Sequence, residues 1–370
     1  MRIGIDARFY GPRATGIGIY TEELIKNLLK IDQTNQYVIF LRKEAYRSYQ
    51  IKNKNVEKVL TEIPHYSFKE QTALNPYFKA AKLDLVHFTH FNKPIFYHQP
   101  YLVTIHDLTM LFYPPRTNFL KKKIFEWVIK SAVKNALKII VPSQQTKKDL
   151  NEYLNVPTEK IELIYEALPS NFKPAKIKNR TILKKYRITK PYLFYTGQQK
   201  PHKNLIRLVE AFKDLNRKYP SKWQLVLAGK IDPSHPELGQ KIEELNLKDE
   251  VILAGFVRDQ DLPQLYVQAQ AYVLPSLYEG FGLPPLEAMA SKIPVIASSS
   301  SCIPEILGDG AYYFDPKNIQ EMSRAMEGVL LSPKIRQKLL KNGPKILVRY
   351  SWQKNARQTL KIYQNLRKLN

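Results

Sequence analysis

Cysteine is almost absent: Cys302 is the only one in 370 residues. No disulfide can form within the chain, and a reducing compartment is expected. Long apolar runs are missing too, and no stretch approaches the roughly 20 residues that a transmembrane helix needs. The opening Met1-Arg-Ile-Gly-Ile-Asp6 reaches an acid at once and lacks the apolar core of a signal peptide. The expected location is the cytoplasm, with a peripheral position on the inner face of the cell membrane left open. Acidic residues are also scarce. With 33 Asp plus Glu against 58 Lys plus Arg, the formal net charge is +25. Such a balance suits a polyanionic partner: an anionic bilayer, a phosphorylated substrate or nucleic acid. A lysine-rich composition spread over solvated faces gives the same balance, and the lysines here are scattered. The charged fraction of 25% and apolar fraction of 44% exclude a disordered chain. The length suits two domains, each with its own core.

What is present is organised around Leu277-Tyr-Glu-Gly-Phe-Gly-Leu-Pro-Pro-Leu-Glu287. The apolar run from Ala271 to Pro275 reads as a buried strand, a glycine-rich bend follows, and Leu283 to Ser291 reads as a helix with prolines in its first turn. In a strand–loop–helix unit the first helical N–H groups point back at the carboxyl end of the sheet, where they favour an anion such as a phosphate. Glu279 and Glu287 frame the bend with seven residues between them. An acid beside a phosphate site is unfavourable unless it binds something else, and sugar or ribose hydroxyls fit that need. The plainer alternative is a glutamate capping a turn and another on a wet helix face.

Around this centre the chain alternates strands and helices, which implies mostly parallel sheets covered on both faces. Arg2 to Asp6 reads as a strand, Gly11 to Gly18 as a loop with three glycines, and Tyr20 to Lys30 as an amphipathic helix. Gly16-Ile-Gly18 lacks the three-glycine dinucleotide fingerprint, so nicotinamide binding is poorly supported. Further strands are expected at Tyr37 to Leu41, Leu83 to His87, Tyr101 to Ile105, Leu137 to Val141 and Ile161 to Tyr165, with Ser143 capping a helix that ends near Tyr153. His87, His90, His106 and Asp107 invite a metal reading, but their spacing is not diagnostic. Lys121 to Ala136 reads as a long basic helix. With Phe112, Tyr113, Phe119 and Phe125 it is the best local candidate for docking on a bilayer, although a lysine run commonly forms a solvated face. The pattern weakens from Glu166 to Lys190, where the interdomain crossing is placed. A second series then runs through strands at Tyr192, Gln224, Val251, Ala271 and Val295. Asp259-Gln-Asp261 has a metal-ligand spacing, yet it directly precedes a helix from Leu262 and reads better as its cap.

The stretch from Pro275 to Ala290, with Pro294-Val-Ile-Ala297 and Pro304-Glu305 behind it, resembles the donor-site signature of the family 4 retaining glycosyltransferases. The resemblance covers roughly Arg2 to Tyr363. It implies an α/β fold of two Rossmann-like domains facing across a cleft, the GT-B fold. An N-terminal acceptor domain would span 1–170, a nucleotide-sugar donor domain 171–351, and the terminal helix 352–370 would pack back on the first. It also implies transfer of a hexose, with mannose favoured, from a nucleotide-diphosphate sugar to a hydroxyl of a glycan or lipid-linked acceptor. GDP-mannose is the favoured donor, a UDP-sugar stays open, no metal or other cofactor is expected, and nucleic acid is not an expected partner.

Residue by residue, the resemblance implies that Gly16 and Gly18 face the donor diphosphate and the acceptor and that His106, in Val103-Thr-Ile-His-Asp-Leu108, lies beside the transferred sugar and the acceptor as a neutral imidazole that can donate to a hydroxyl. Gly197 and Lys203 take the family's glycine and lysine places, the ammonium neutralising the leaving diphosphate. His202 and Gln198 stand where relatives often carry arginine, and Lys200 is the nearest substitute. Glu279 would meet a sugar hydroxyl, Glu287 the ribose, and the amides of Phe281, Gly282 and Leu283 the sugar and phosphates. Three rivals remain: a glycoside hydrolase with the two glutamates as acid and nucleophile, a sugar-nucleotide epimerase on the same fold, and a non-enzymatic basic protein that binds anionic lipid or nucleic acid.

Overall fold

The computed structural model describes residues 1–11, 16–50, 53–114, 119–176, 179–230, 232 and 235–367. In chain order the elements of the first part are β1 (Arg2–Asp6), α1 (Gly16–Ile31), β2 (Gln36–Leu41), α2 (Lys43–Ser48), β3 (Val56–Leu60), α3 (Phe68–Ala73), α4 (Asn75–Ala80), β4 (Leu85–Phe88), β5 (Tyr101–Thr104), α5 (Thr109–Phe112), α6 (Phe119–Lys134), β6 (Lys138–Val141), α7 (Gln144–Leu154) and β7 (Ile161–Leu163). There follow α8 (Arg180–Lys185), β8 (Tyr192–Thr196), α9 (Leu205–Lys218), β9 (Gln224–Ala228), α10 (Glu237–Glu244), β10 (Val251–Gly255), α11 (Leu262–Gln268) and β11 (Ala271–Leu274). The last are α12 (Leu283–Ala290), β12 (Val295–Ser298), α13 (Ile303–Leu307), β13 (Ala311–Phe314), α14 (Ile319–Leu331), α15 (Pro333–Leu347) and α16 (Trp352–Arg367). The chain divides into two compact units, one of residues 1–169 with 351–370 and the other of residues 170–350.

In the first unit seven strands form a parallel sheet in the order β3-β2-β1-β4-β5-β6-β7. Central strands are buried on both faces, which is why Val38 to Leu41 and Tyr101 to Val103 read as unbroken apolar runs. Val56–Leu60 escaped the sequence reading because an edge strand is half exposed and carries Glu57 and Lys58 among its valines. α1 begins at Gly16, so Gly16 and Gly18 lie in the first turn of a helix rather than in the expected loop. α16 packs along α1. Its Trp352 Nε1 donates to the Leu168 carbonyl (2.9 Å) and Asn355 Nδ2 to the Tyr165 carbonyl (2.8 Å), while Tyr363 Oη meets His87 Nδ1 at 2.7 Å.

The second unit repeats the architecture with six parallel strands in the order β10-β9-β8-β11-β12-β13. α13, β13 and α14 extend the alternating series past β12, the last strand expected from the sequence. Asp261 occupies the position before α11, but its side chain makes no cap bond. The carboxylate instead accepts from Tyr186 Oη (2.8 Å) and pairs with Lys185, so the expected capping role is corrected: a charge partner outcompetes the helix N–H groups.

In each sheet the strand order reverses once, between β1 and β4 in the first and between β8 and β11 in the second. Parallel α/β sheets bind ligands outside the carboxyl ends of the strands at such a reversal, because the flanking helices diverge there and leave a crevice.

Candidate active site

At the reversal of the second sheet, the segment after β8 delivers Lys203 and the segment after β11 delivers Glu279. Lys203 Nζ lies 2.7 and 2.8 Å from the two carboxylate oxygens of Glu279, and Ser276 Oγ donates to one of them at 2.7 Å. Burial opposes ionisation of Glu279, but Lys203, Ser276 and the nearby His202 outweigh it and hold its pKa below the usual carboxylate value. Asn204 fixes the approach of the two segments: its Nδ2 donates to the carbonyls of Pro275 (3.0 Å) and Pro316 (2.7 Å). From the far side Ser301 Oγ donates to the Glu279 carbonyl at 2.8 Å, and the Cys302 thiol contacts the same oxygen at 3.2 Å.

Gly282, at φ 93°, turns the chain into α12 in a left-handed conformation that a side chain resists. Pro284 and Pro285 have no N–H, so the amides of Gly282 and Leu283 are the donors available at this helix start. Phe281 is buried with its ring edge-on to Tyr350 at 5.4 Å. Glu287, one turn into α12, accepts a 2.8 Å hydrogen bond from Tyr266 Oη. Burial pushes its pKa up to about 7, the Tyr266 hydroxyl opposes the rise and Asp259 adds to it. Gly197 borders the same edge. A Cβ on the facing Gly229 would come within 1.8 Å of the Gly197 carbonyl oxygen, so the two β-strand ends approach here only because residue 229 is glycine, whereas a Cβ on Gly197 would meet the Tyr195 hydroxyl at 2.6 Å. Lys200, the nearest substitute for a missing arginine, is paired with Asp232 at 2.9 Å on the surface.

At the reversal of the first sheet the groups are arranged differently. Arg8, fully buried, donates to both oxygens of Asp6 at 2.8 Å, to Glu70 Oε1 at 2.6 Å and to the Asn92 carbonyl at 3.2 Å. His106 Nδ1 lies 3.0 Å from Glu166 Oε1, and Nε2 lies 2.9 Å from the Thr89 carbonyl oxygen. Burial disfavours a charged ring, but two acceptors on two nitrogens outweigh it and raise the pKa above the ordinary histidine value. The expected neutral imidazole with a donor to spare is therefore corrected: both nitrogens are engaged and the imidazolium is the favoured form. His87 goes the other way. Burial, with His106 close by, lowers it to about 3, and it bridges Tyr363 and Thr104 as a neutral ring.

The surface expected to dock on a bilayer is also rearranged. Phe125 is buried and lies edge-on to Phe91 at 4.8 Å, and Phe112 packs on Tyr153. Ile124 and Trp127 (55% exposed) project from α6 instead, in company with the exposed Lys123 and Lys130. The side chains of Phe119 and Lys121 lie outside the described residues. Among the described residues no helix is long and apolar enough to cross a membrane.

Of the sequence candidates, Lys203, Glu279, Gly197, Phe281, Gly282, Leu283 and Glu287 gather at one sheet edge. Gly16, Gly18 and His106 belong to the other unit. Arg8, Glu70, Glu166, Thr89, Ser276, Ser301 and Tyr266 were not foreseen. Ser276 lies inside the central stretch, three residues from its partner Glu279, while the others gain partners from distant segments.

Comparison with known proteins places these features in company. The family described as Glycosyltransferase Family 4 matches residues 14–170, and the one described as Glycosyl transferases group 1 matches residues 178–346. O-antigen chain mannosyltransferase B of Escherichia coli is 27% identical over 95% of this chain and 96% of its own. O-antigen chain mannosyltransferase RfbU of Salmonella typhimurium is 29% identical over 86% of this chain and 88% of its own. Among solved structures, sucrose-phosphate synthase from Thermosynechococcus elongatus aligns over the whole of both chains with a TM-score of 0.78 at 22% identity. Anabaena HepE in complex with UDP-glucose aligns over 98% of this chain and 99% of its own, with a TM-score of 0.75 at 16% identity. These likenesses fix the fold as GT-B.

Proposed function

The chain belongs to the family 4 retaining glycosyltransferases, and we propose that it moves mannose from GDP-mannose to a hydroxyl of a glycan or lipid-linked acceptor in cell-surface polysaccharide assembly. The observation that carries this reading is the Lys203–Glu279 pair set before the Gly282 turn and the start of α12. Cation, carboxylate and helix amides together match a sugar diphosphate, which offers hydroxyls and phosphate oxygens side by side. The O-antigen chain mannosyltransferases among the relatives support the sugar and the process.

In this reading the C1–O bond to the diphosphate breaks while the acceptor oxygen bonds to C1 on the same face, and the acceptor proton passes to the departing phosphate oxygen. No protein nucleophile takes part, and a covalent glycosyl adduct trapped on Glu279 would overturn that. Lys203 exchanges Glu279 for the developing phosphate charge. Glu279, held ionised, accepts from a sugar hydroxyl, Glu287 accepts from the ribose, and the Phe281, Gly282 and Leu283 amides face sugar and phosphate. His106 supplies a fixed positive charge to the acceptor edge. The reaction needs no metal, so turnover unchanged by EDTA is the expected result.

Titration calorimetry of GDP, UDP, GDP-mannose and UDP-glucose tests the donor assignment on wild type and Glu287→Ala. Guanosine nucleotides are expected to bind, with affinity about tenfold weaker in the variant. Binding by uridine nucleotides alone reassigns the donor, and no binding by a folded protein removes the reading. The exposed Ile124 and Trp127 among lysines on α6 suit the interface of an anionic bilayer. Flotation with phosphatidylglycerol vesicles, and its loss in Trp127→Ala, is the corresponding check.

A further inference from the structure

Glu166 sits where regular structure has run out. β7 ends at Leu163, residues 164–169 belong to no helix or strand, and the first stretch of the unit ends at Pro169. Irregular segments are ordinarily the mobile part of a domain, and a charge pair gains little when one partner must first be ordered. Glu166 is nonetheless buried, with its Oε1 3.0 Å from His106 Nδ1. Its place has to be fixed by something other than strand pairing.

The chain returns from the second unit at Ser351, and α16 begins at once. Its Asn355 Nδ2 donates to the Tyr165 carbonyl at 2.8 Å and its Trp352 Nε1 to the Leu168 carbonyl at 2.9 Å. Two side chains about one turn apart on one helix thus grip the backbone on either side of Glu166. The Trp352 ring also reaches the other half of the pair. It lies edge-on to Tyr20 of α1 at 5.9 Å, and Tyr20 lies edge-on to His106 at 4.8 Å. Packing alone does not account for Asn355. Its Oδ1 is buried without a hydrogen-bond partner among the described residues, as is Thr359 Oγ1 one turn on. A leucine would fill the space and leave no oxygen orphaned, so what the amide contributes is its donor.

We propose that Trp352 and Asn355 are positioning residues, which hold Glu166 on His106 and so keep the imidazolium charge at the edge of the first sheet. The proposal rests on the charge role given to His106 above. The other titratable groups around the ring come from other segments. Asp107 follows it in the chain and favours the charged form, and His90 runs nearly parallel to it at 6.2 Å. His87 meets α16 as well, through Tyr363 Oη at 2.7 Å. Burial, with the neighbouring His106, keeps both of these histidines neutral, so Glu166 is the partner through which α16 acts on the ring.

NMR titration of His106 in the full chain tests this with Trp352→Phe and Asn355→Leu, each of which removes one donor and keeps most of the bulk. The His106 midpoint is expected to fall in both variants. Their kcat/KM falls about threefold on the alkaline limb and stays within about twofold of wild type below it, whereas simple misfolding would lower it at every pH. In a Glu166→Gln background neither substitution moves the midpoint further, because the group they act through is gone. Leu366→Ala is the control. It opens a cavity about four turns along the same helix, loosens α16 and leaves the midpoint in place. An unmoved midpoint in either folded variant, an equal shift without Glu166, or the same shift in Leu366→Ala overturns the proposal. A lower midpoint with an unchanged rate profile would leave the clamp standing and remove the charge role of His106 instead.

Discussion

At the carboxyl edge of the first sheet Arg8 is locked both to Asp6 in its own segment and to Glu70 from another, and His106 to Glu166, whereas at the second sheet Lys203 and Glu279 chiefly hold each other. The side chains of Arg8 and Glu70 are sealed from solvent, while those of Lys203 and Glu279 retain 19% and 12% of their exposure. One edge is a fixed frame, and on the function proposed above the other is a pair of opposite charges kept ready for exchange. Buried pairs are expensive to break and contribute little net stability, so a pair meant to open during turnover belongs where water can reach it.

The difference is tested most sharply by stability. Arg8→Met leaves Asp6 and Glu70 buried without a cation, and a loss of about 3–5 kcal/mol is expected from denaturant titration. Lys203→Met is expected to shift stability by only about 1 kcal/mol, because Glu279 keeps Ser276 and partial access to water. Equal losses in the two variants would erase the distinction between frame and exchangeable pair.

Activity is expected to invert that order. In the role proposed above Lys203 meets the leaving diphosphate, so Lys203→Met should lower kcat/KM about 10²–10³-fold, read from initial rates of transfer. A variant that melts like the wild type yet barely turns over is the signature of a group whose work is done in the transition state. A loss confined to KM would assign Lys203 to ground-state binding alone.

How much of this was legible follows from the same contrast. The second edge is built from two short stretches, Gly197 to Leu205 and Pro275 to Glu287, so its residues could be read off as neighbours in the chain. Parallel strands that are buried on both faces also announce themselves as apolar runs, which made most of the alternating series readable. The first edge unites Asp6, Arg8, Glu70, Thr89, Asn92, His106 and Glu166, and only folding brings them together. Its key signal, an arginine with no exposed surface, is a property of tertiary burial and leaves no periodicity. The α6 surface failed for a related reason. The aromatic residues near the lysine run do not form one face, because the helical period turns Phe125 inward and Ile124 and Trp127 outward.

A finer probe of the first edge is Glu166→Gln. His106 has a folded pKa above its ordinary value, so its charge and the stability it contributes are fully present below the unfolded pKa and are lost as pH rises through the folded one. Removing the carboxylate lowers that folded pKa and moves the alkaline limb of kcat/KM to lower pH, with an activity loss of about tenfold on that limb. An NMR titration of His106 checks the cause separately. An unmoved limb would show that the frame acts through shape and not through charge.

The smallest effect expected comes from Glu287, where the second edge keeps its own concealed tension. Burial raises its pKa to about 7, so near neutral pH the carboxyl is part protonated. In the proposed role the ribose hydroxyls donate to the ionised form, hence donor affinity should rise with pH through 7 and level off above it, falling roughly tenfold from plateau by pH 6. Folding stability has the opposite slope: the native state holds this proton more tightly than the unfolded chain, so stability falls as pH climbs from the ordinary glutamate value through 7. Calorimetry across that range reads the first slope and denaturant titration the second. Asp259→Asn removes a charge that raises the pKa and should move both curves to lower pH, whereas Tyr266→Phe removes the hydroxyl that lowers it and should move both to higher pH. Glu287→Gln should bind more weakly and show neither slope. A carboxyl that destabilises the fold in the same pH range where it improves binding is held in place for the ligand, which distinguishes it from the sealed Arg8 network of the first unit.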